Sequence, residues 1–566
     1  MTLDSVRVLR MYKRTFIAVI GFGLVMTVNA LALSIAEPFQ SGQDAFERKD
    51  YKTALKIWWA LADKGDRRAQ SNVAWLYDKG LGVRENNDLA LMWYKRSADQ
   101  GYSAAQVNIG VMYEDGDGIP QSYEKALEWY RKAADQSNAI AENNIGVLYA
   151  HGKGVEQSDE TAVFWYQRAA KRGYAVAQDN LGGMYDGGWG IAQDKVKAVY
   201  WYRKAAEQGN AYGQSHLGVM YEAGEGIAKD IKLALDWYRK SAAQNNREGL
   251  YNLGRMYDFG HGVGKNPVEA AKWYEKAAQL GQAPAQNNLG FMYDTGTGVE
   301  LNDAKAVSWY RKAADQNNLS AQHNLGLMYD YGEGVAEDNA EAARWFRIAA
   351  RRGHAKAQYD LARLYETGEG LVKDYNVALY WYRKAAAQNN TYALNSLGIM
   401  YATGLGVARD PRQAFIWYER AAKLGYSVAQ SNLGAMYEDG KGVEQNYATA
   451  ADWYRKAADQ GEASAQFNLA LMYEDGNGFA QDKKTAAKWY LKAAEQGYVH
   501  AQINLGLLYD LGQGVAEDKA AAVKWYRAAA DQGHATGQTN LASLYSEGKG
   551  VEKNDAIAAG LYLKAA

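Results

Sequence analysis

Apolar and small residues recur through most of this chain at helical spacing, interrupted at regular intervals by paired glycines. In the stretch 105–113, Ala105, Ile109, Met112 and Tyr113 fall on one side of a helix turning 100° per residue. The pattern breaks at Gly116 and Gly118 and resumes past Ser122 with Ala126, then Trp129 and Tyr130. Ser122 starts that second helix. Its counterparts, seven residues before each tryptophan position, are Asp, Asn or Ser in every copy, among them Asn86, Asp194, Asp338 and Asp518. These are the strongest N-cap types. Pro267 and Pro411 follow such caps directly, at the first helical position, where a missing N–H costs nothing. Eight residues past the tryptophan the chain carries Gly, or else Ser137, Asn245, Asn317 or Asn389, as a left-handed helix end requires. The pattern predicts helix, tight turn, helix and cap.

The frame Y-x-x-G-x-G returns every 36 residues from Tyr77 to Tyr545, fourteen times without an insertion. Self-similarity at this period marks a repeat array rather than separate domains. The residue between the glycines is Asp117 in one copy but Leu81, Lys153, Trp189, His261, Leu405 or Gln513 elsewhere. A calcium or phosphate site would keep its ligands; this frame keeps only its glycines and is a backbone device. Gly110 lies inside the first helix at a place that is Gly or Ala in all fourteen units, which predicts close approach by a neighbouring helix. A tryptophan stripe, Trp93 to Trp525 with Leu561 in the last unit, reads as shared core in preference to a ligand platform. On the same reasoning Trp309 and Tyr293 are expected in the core.

The repeating string N-L-G-x-M-Y-x-x-G-x-G-V…A-x-x-W-Y-R-K-A-A-x-Q-G resembles the Sel-one-like repeat family, relatives of the tetratricopeptide repeat. The resemblance implies an all-α fold, a right-handed α-solenoid superhelix of antiparallel helix pairs. It also implies a scaffold or adaptor that assembles other proteins, in bacteria often at the cell envelope. On this reading 42–68 is an atypical leading helical unit with its loop shortened to Lys49-Asp50-Tyr51, and 69–566 holds fourteen tandem repeats, the last truncated at Ala566.

The N-terminus differs. Arg7, Arg10, Lys13 and Arg14 precede an apolar run from Phe16 to Val28 and the small residues Ala30 and Ala32, the pattern of a signal peptide over 1–32, with 33–41 a short linker. The competing reading is an uncleaved anchor, because 16–33 reaches the lower edge of membrane-crossing length. Either places the remainder outside the cytoplasm, in the periplasm, secreted, or anchored facing the periplasm. Charge is balanced, 64 basic against 65 acidic residues, which gives no footprint for nucleic acid. Without cysteine there is neither thiolate chemistry nor a disulfide, and the seven histidines show no metal-ligand spacing. Ser122 and Lys125 spell S-x-x-K, but Ser122 is a cap and no companion motif follows. No catalytic residue, cofactor or metal site is expected.

Function is therefore sought in positions that vary. Counting Ala105 as position 1, positions 3, 7 and 10 of the first helix lie opposite its packing face. Across copies, positions 3 and 7 place Trp75, Val107, Val111, Tyr251, Arg255, Phe291, Leu327, Tyr359, Arg363, Phe467 and Leu507 along one stripe. In the related solenoids this helix lines the concave surface, so the stripe would be a partner-binding groove of interface-like composition; drift on a solvent face is the plain alternative. Position 10 is acidic in eleven of fourteen units, including Asp78, Glu114, Asp258, Glu366 and Glu474. An acid there opposes the helix dipole, so it is expected either to pair with the bases of W-Y-R-K or to form an acidic rim. The sequence predicts a non-enzymatic scaffold binding proteins or peptides. An envelope factor or enzyme handling polysaccharide in the same groove is the alternative.

Overall fold

The computed structural model describes residues 30–566, and among these there are thirty helices and no strand. From Arg67 the helices alternate as fourteen pairs, beginning with Arg67–Lys79 and Asn87–Asp99 and ending with Ala535–Glu547 and Asp555–Ala565. We call the first member of each pair helix A and the second helix B. Another pair, Ala30–Glu47 and Tyr51–Asp63, comes before them. The stretch 33–41, expected as a linker, lies inside Ala30–Glu47. The expected signal over 1–32 falls, for residues 1–29, outside the described residues. The chain divides into two compact units at Asn252 and Leu253, within the helix Arg247–Phe259. The first holds the leading pair and five complete repeats. The second holds the close of the sixth and eight more.

The second repeat of the first unit shows how local chemistry makes the pair. Helix A, Ser103–Asp115, stops at Gly116, whose φ of 77° is left-handed. Gly118 is also left-handed, and a Cβ there would stand 2.3 Å from Cβ of Asn87, on helix B of the preceding repeat. The second glycine of the frame therefore serves close packing as well as the turn. Ser122 then caps helix B, Tyr123–Ala134, by accepting from the Lys125 backbone N–H at 3.3 Å. Helix B closes on Ser137 at φ 64°, and in the second unit the same place is left-handed at Asn317 and Asn389.

Of the tryptophan stripe expected in the core, Trp93 and Trp525 are buried, but most of the others yield the deepest place to the tyrosine that follows. Tyr130 in the first unit and Tyr310, Tyr382 and Tyr454 in the second are fully buried. Each fills the space left by helix A's small residue: a Cβ on Gly110 would meet the Tyr130 ring at 2.4 Å, and one on Gly290 the Tyr310 ring at 2.7 Å. Trp129 and Trp165 are only half-buried, and each packs on the cluster that its own helix A shares with helix B of the repeat before. Trp309 and Tyr293, expected in the core, are likewise half-buried. One residue is 100° of helix, so if the tyrosine faces its own helix A the tryptophan before it must face elsewhere. The base three residues on shares the tryptophan's side and covers it: Lys132 Nζ lies 3.9 Å from the Trp129 ring centre and Lys312 Nζ 3.9 Å from that of Trp309.

Candidate functional site

Position 10 resolves first. The acid accepts a hydrogen bond from the buried tyrosine of helix B, Tyr130 Oη to Glu114 at 2.8 Å and Tyr238 Oη to Glu222 at 2.7 Å in the first unit. In the second, Tyr310 donates to Asp294 at 3.0 Å and Tyr454 to Glu438 at 2.7 Å. Both expected roles, pairing with W-Y-R-K bases and an acidic rim, give way to this one. A buried hydroxyl needs an acceptor, and a carboxylate at the end of helix A supplies a charge-assisted one worth about 1.5–3 kcal/mol. Burial first, then the carboxylate, push the Tyr310 hydroxyl's pKa well above its ordinary value. Other acids at this position take a base: Asp186 binds Lys195 at 2.7 Å and Asp510 binds Lys519 at 2.8 Å. Where Phe346 stands in place of tyrosine, Asp330 is paired with Arg363 of the following repeat.

Position 3 is largely engaged between neighbouring helices A. In the first unit Asn180 Nδ2 donates to Asn143 Oδ1 at 2.9 Å and Asn252 Nδ2 to Ser215 Oγ at 3.2 Å. In the second, Asn324 reaches Asn287 at 3.1 Å and Asn432 reaches Asn395 at 3.0 Å. Two rungs pair a histidine with an aspartate, and in opposite order: His216 with Asp179 at 2.8 Å, and His323 with Asp360 at 2.7 Å. Burial lowers the His216 pKa, but Asp179 and then Glu248, 3.4 Å from Nε2, raise it well above the usual imidazole value. The folded state therefore holds this proton more tightly than the unfolded chain does. Its stabilisation is complete below about pH 6.5 and is lost as pH rises through the folded pKa. Wild-type protein is thus expected to lose more melting temperature than Asp179→Asn/His216→Asn between about pH 6 and about pH 9, the double variant carrying the asparagine rung of 143 and 180. Equal loss in the two proteins would refute the assignment.

The eleven candidates separate by depth. Val107 is a correction: it is 4% exposed and belongs to the core. Trp75, Val111, Tyr251, Arg255, Leu327, Tyr359, Arg363 and Phe467 are half-buried. Trp75 packs against Phe46 with ring centres 5.4 Å apart. Tyr359 and Phe467 lean on the core tyrosines Tyr382 and Tyr490, each at 5.7 Å. Arg363 also binds Glu369 at 3.0 Å. Phe291 and Leu507 are exposed, at 52% and 40%. A position that varies is therefore not always a position that is free. Some vary together with the neighbour they touch.

One device escaped the sequence reading altogether. Position 2 of helix A is buried glutamine in most repeats, and its amide donates to a carbonyl at the end of the preceding helix B, as Gln106 does to Ala98 at 3.4 Å. It accepts from a second glutamine at the end of its own helix B: Gln136 to Gln106 and Gln496 to Gln466, each at 2.8 Å. In the third repeat both members change. Glu142, with its side chain fully buried, takes Arg172 at 3.1 Å and Arg168 at 3.0 Å. In the tenth both are leucine, Leu394 and Leu424. Paired change between repeats, 30 residues apart, was the signal available in the sequence.

Among the described residues, no three side chains of metal-ligating type are grouped to hold an ion, and no helix is long and apolar enough to cross a membrane. The Sel1 repeat family model matches fourteen consecutive segments, from 67–102 and 103–138 through 499–534 and 535–566. The chain is similar to a solved protective antigen present in uropathogenic Escherichia coli strains that displays an SLR fold. Identity is 37%, coverage 78% of this chain and 94% of that one, and TM-score 0.62. A Sel1 repeat protein from Oxalobacter formigenes is 34% identical over 55% of this chain and 90% of its own, with a TM-score of 0.44. Among curated proteins none matches.

Proposed function

This chain belongs to the Sel1 repeat family, and we propose that it is an exported, non-catalytic scaffold of the bacterial envelope that takes a protein partner along helix A. The observation that carries the reading is the exposure of Phe291 and Leu507 at position 7, where other copies hold tryptophan, arginine or valine. Large apolar side chains left uncovered at a fixed register, among half-buried aromatics, have the composition of an interface centre. Export rests on the charged and apolar N-terminal sequence. The similarity to a protective antigen agrees with a place where antibodies reach.

The test pairs stability with capture. Phe291→Ala and Leu507→Ala are expected to change unfolding by less than about 0.5 kcal/mol, as surface substitutions do. Partner retention from envelope extract, read by mass spectrometry, should weaken by about 1 kcal/mol or more. Unchanged retention, or retention of glycans in place of proteins, would contradict the proposal.

A further inference from the structure

Within the unit 253–566, helix B of three consecutive repeats carries a face that the helix-A reading does not use. The positions five and one before the tryptophan, and three and six after it, share one side of the helix. In Asn339–Arg351, Tyr375–Ala387 and Pro411–Lys423 these positions hold six bases, Arg344, Arg351, Lys384, Arg412, Arg420 and Lys423, and no acid. The island is bounded. The same positions carry Asp315 in the repeat before it and Asp452 and Asp459 in the repeat after it. Arg344 and Lys423 are partly neutralised by Glu341 and Glu419, each at 2.8 Å. Among the described residues Arg351, Lys384 and Arg412 form no ion pair. Between the bases stand Tyr380 and Ile416, 52% and 45% exposed.

We propose that this face docks peripherally on an anionic phospholipid bilayer. Charge complementarity is the first argument, since clusters of four to eight bases beside apolar side chains are what an anionic leaflet attracts. The side-chain types are the second. Tyrosine and aliphatic groups enter the headgroup layer while Lys and Arg stems lie along it with their charges in water. An acidic polypeptide would meet the same charge. Apart from Asn376 and the Tyr380 hydroxyl, however, these positions offer no neutral hydrogen-bonding group that would fix a polypeptide's register.

Co-sedimentation of the full chain with vesicles of about 30% phosphatidylglycerol in phosphatidylcholine, against pure phosphatidylcholine, tests the proposal. The N-terminal bases Arg7, Arg10, Lys13 and Arg14 favour anionic vesicles as well, so it is the difference between wild type and the helix-B variants that reports this face. Wild-type protein should prefer the anionic vesicles, and added salt should erode the preference. Lys384→Glu/Arg412→Glu should lower it at least about tenfold with melting unchanged. Tyr380→Ser/Ile416→Ser should lower it as well. Lys456→Glu/Lys524→Glu, at the same register outside the island, should leave it intact. No preference for anionic vesicles, or equal binding by the Lys384/Arg412 variant, would overturn the proposal. So would retention on immobilised polyglutamate with the vesicles ignored, which would make the face a site for acidic polypeptide.

Discussion

Tyr310→Ala should cost about 3–5 kcal/mol in denaturant unfolding, because the ring is fully buried against Gly290. Trp309→Ala, one residue away, should cost only about 1–3 kcal/mol, since that indole is half-buried. The tyrosine loss has two parts that can be separated. Tyr310→Phe keeps the packing and removes the donor, leaving the Asp294 carboxylate half-buried without its 3.0 Å partner. Such an orphan costs about 1–3 kcal/mol. The eighth repeat shows how to restore it, since Phe346 there coexists with Arg363, placed 33 residues beyond Asp330. The equivalent of Arg363 in the neighbouring repeat is Leu327, so Tyr310→Phe/Leu327→Arg should recover most of the loss. If Trp309→Ala proves the costlier single change, or the arginine fails to rescue, the division of roles between the two aromatics is mistaken.

Arg172→Leu should be nearly as damaging. Glu142 has no solvent exposure, and its Oε2 takes Arg172 at 3.1 Å. Removing one partner of a buried pair usually costs about 3–5 kcal/mol; here Arg168 stays bound and the partners reach water, so the lower end is expected. Glu142→Gln/Arg172→Gln installs the glutamine latch of the other repeats and should return to within about 1 kcal/mol of wild type. A double-mutant cycle measures this directly. Simple additivity of the two single changes would mean that the pair is not a latch.

Features that depend on neighbours along the chain were legible in the amino-acid order alone. The 36-residue period, the helix pair, the caps at Ser122 and its counterparts, and the left-handed ends at Asn317 and Asn389 all rest on interactions spanning a few residues. The family resemblance read from those strings also held over all fourteen segments. Periodicity tells which side of a helix is apolar, but not which helix arrives there or how deeply it covers each residue. That Tyr310 and not Trp309 is the core residue follows from the packing of the helices, because the choice depends on where helix A of the same repeat lies. The same holds for Glu114, whose partner Tyr130 is 16 residues away, and for Gln106, whose partner Gln136 is 30 away. It holds again for Val107, placed on the groove by its register and covered by packing. These contacts join different helices. Their energy comes from burying a polar group or a ring against a surface that exists only once the pairs have stacked.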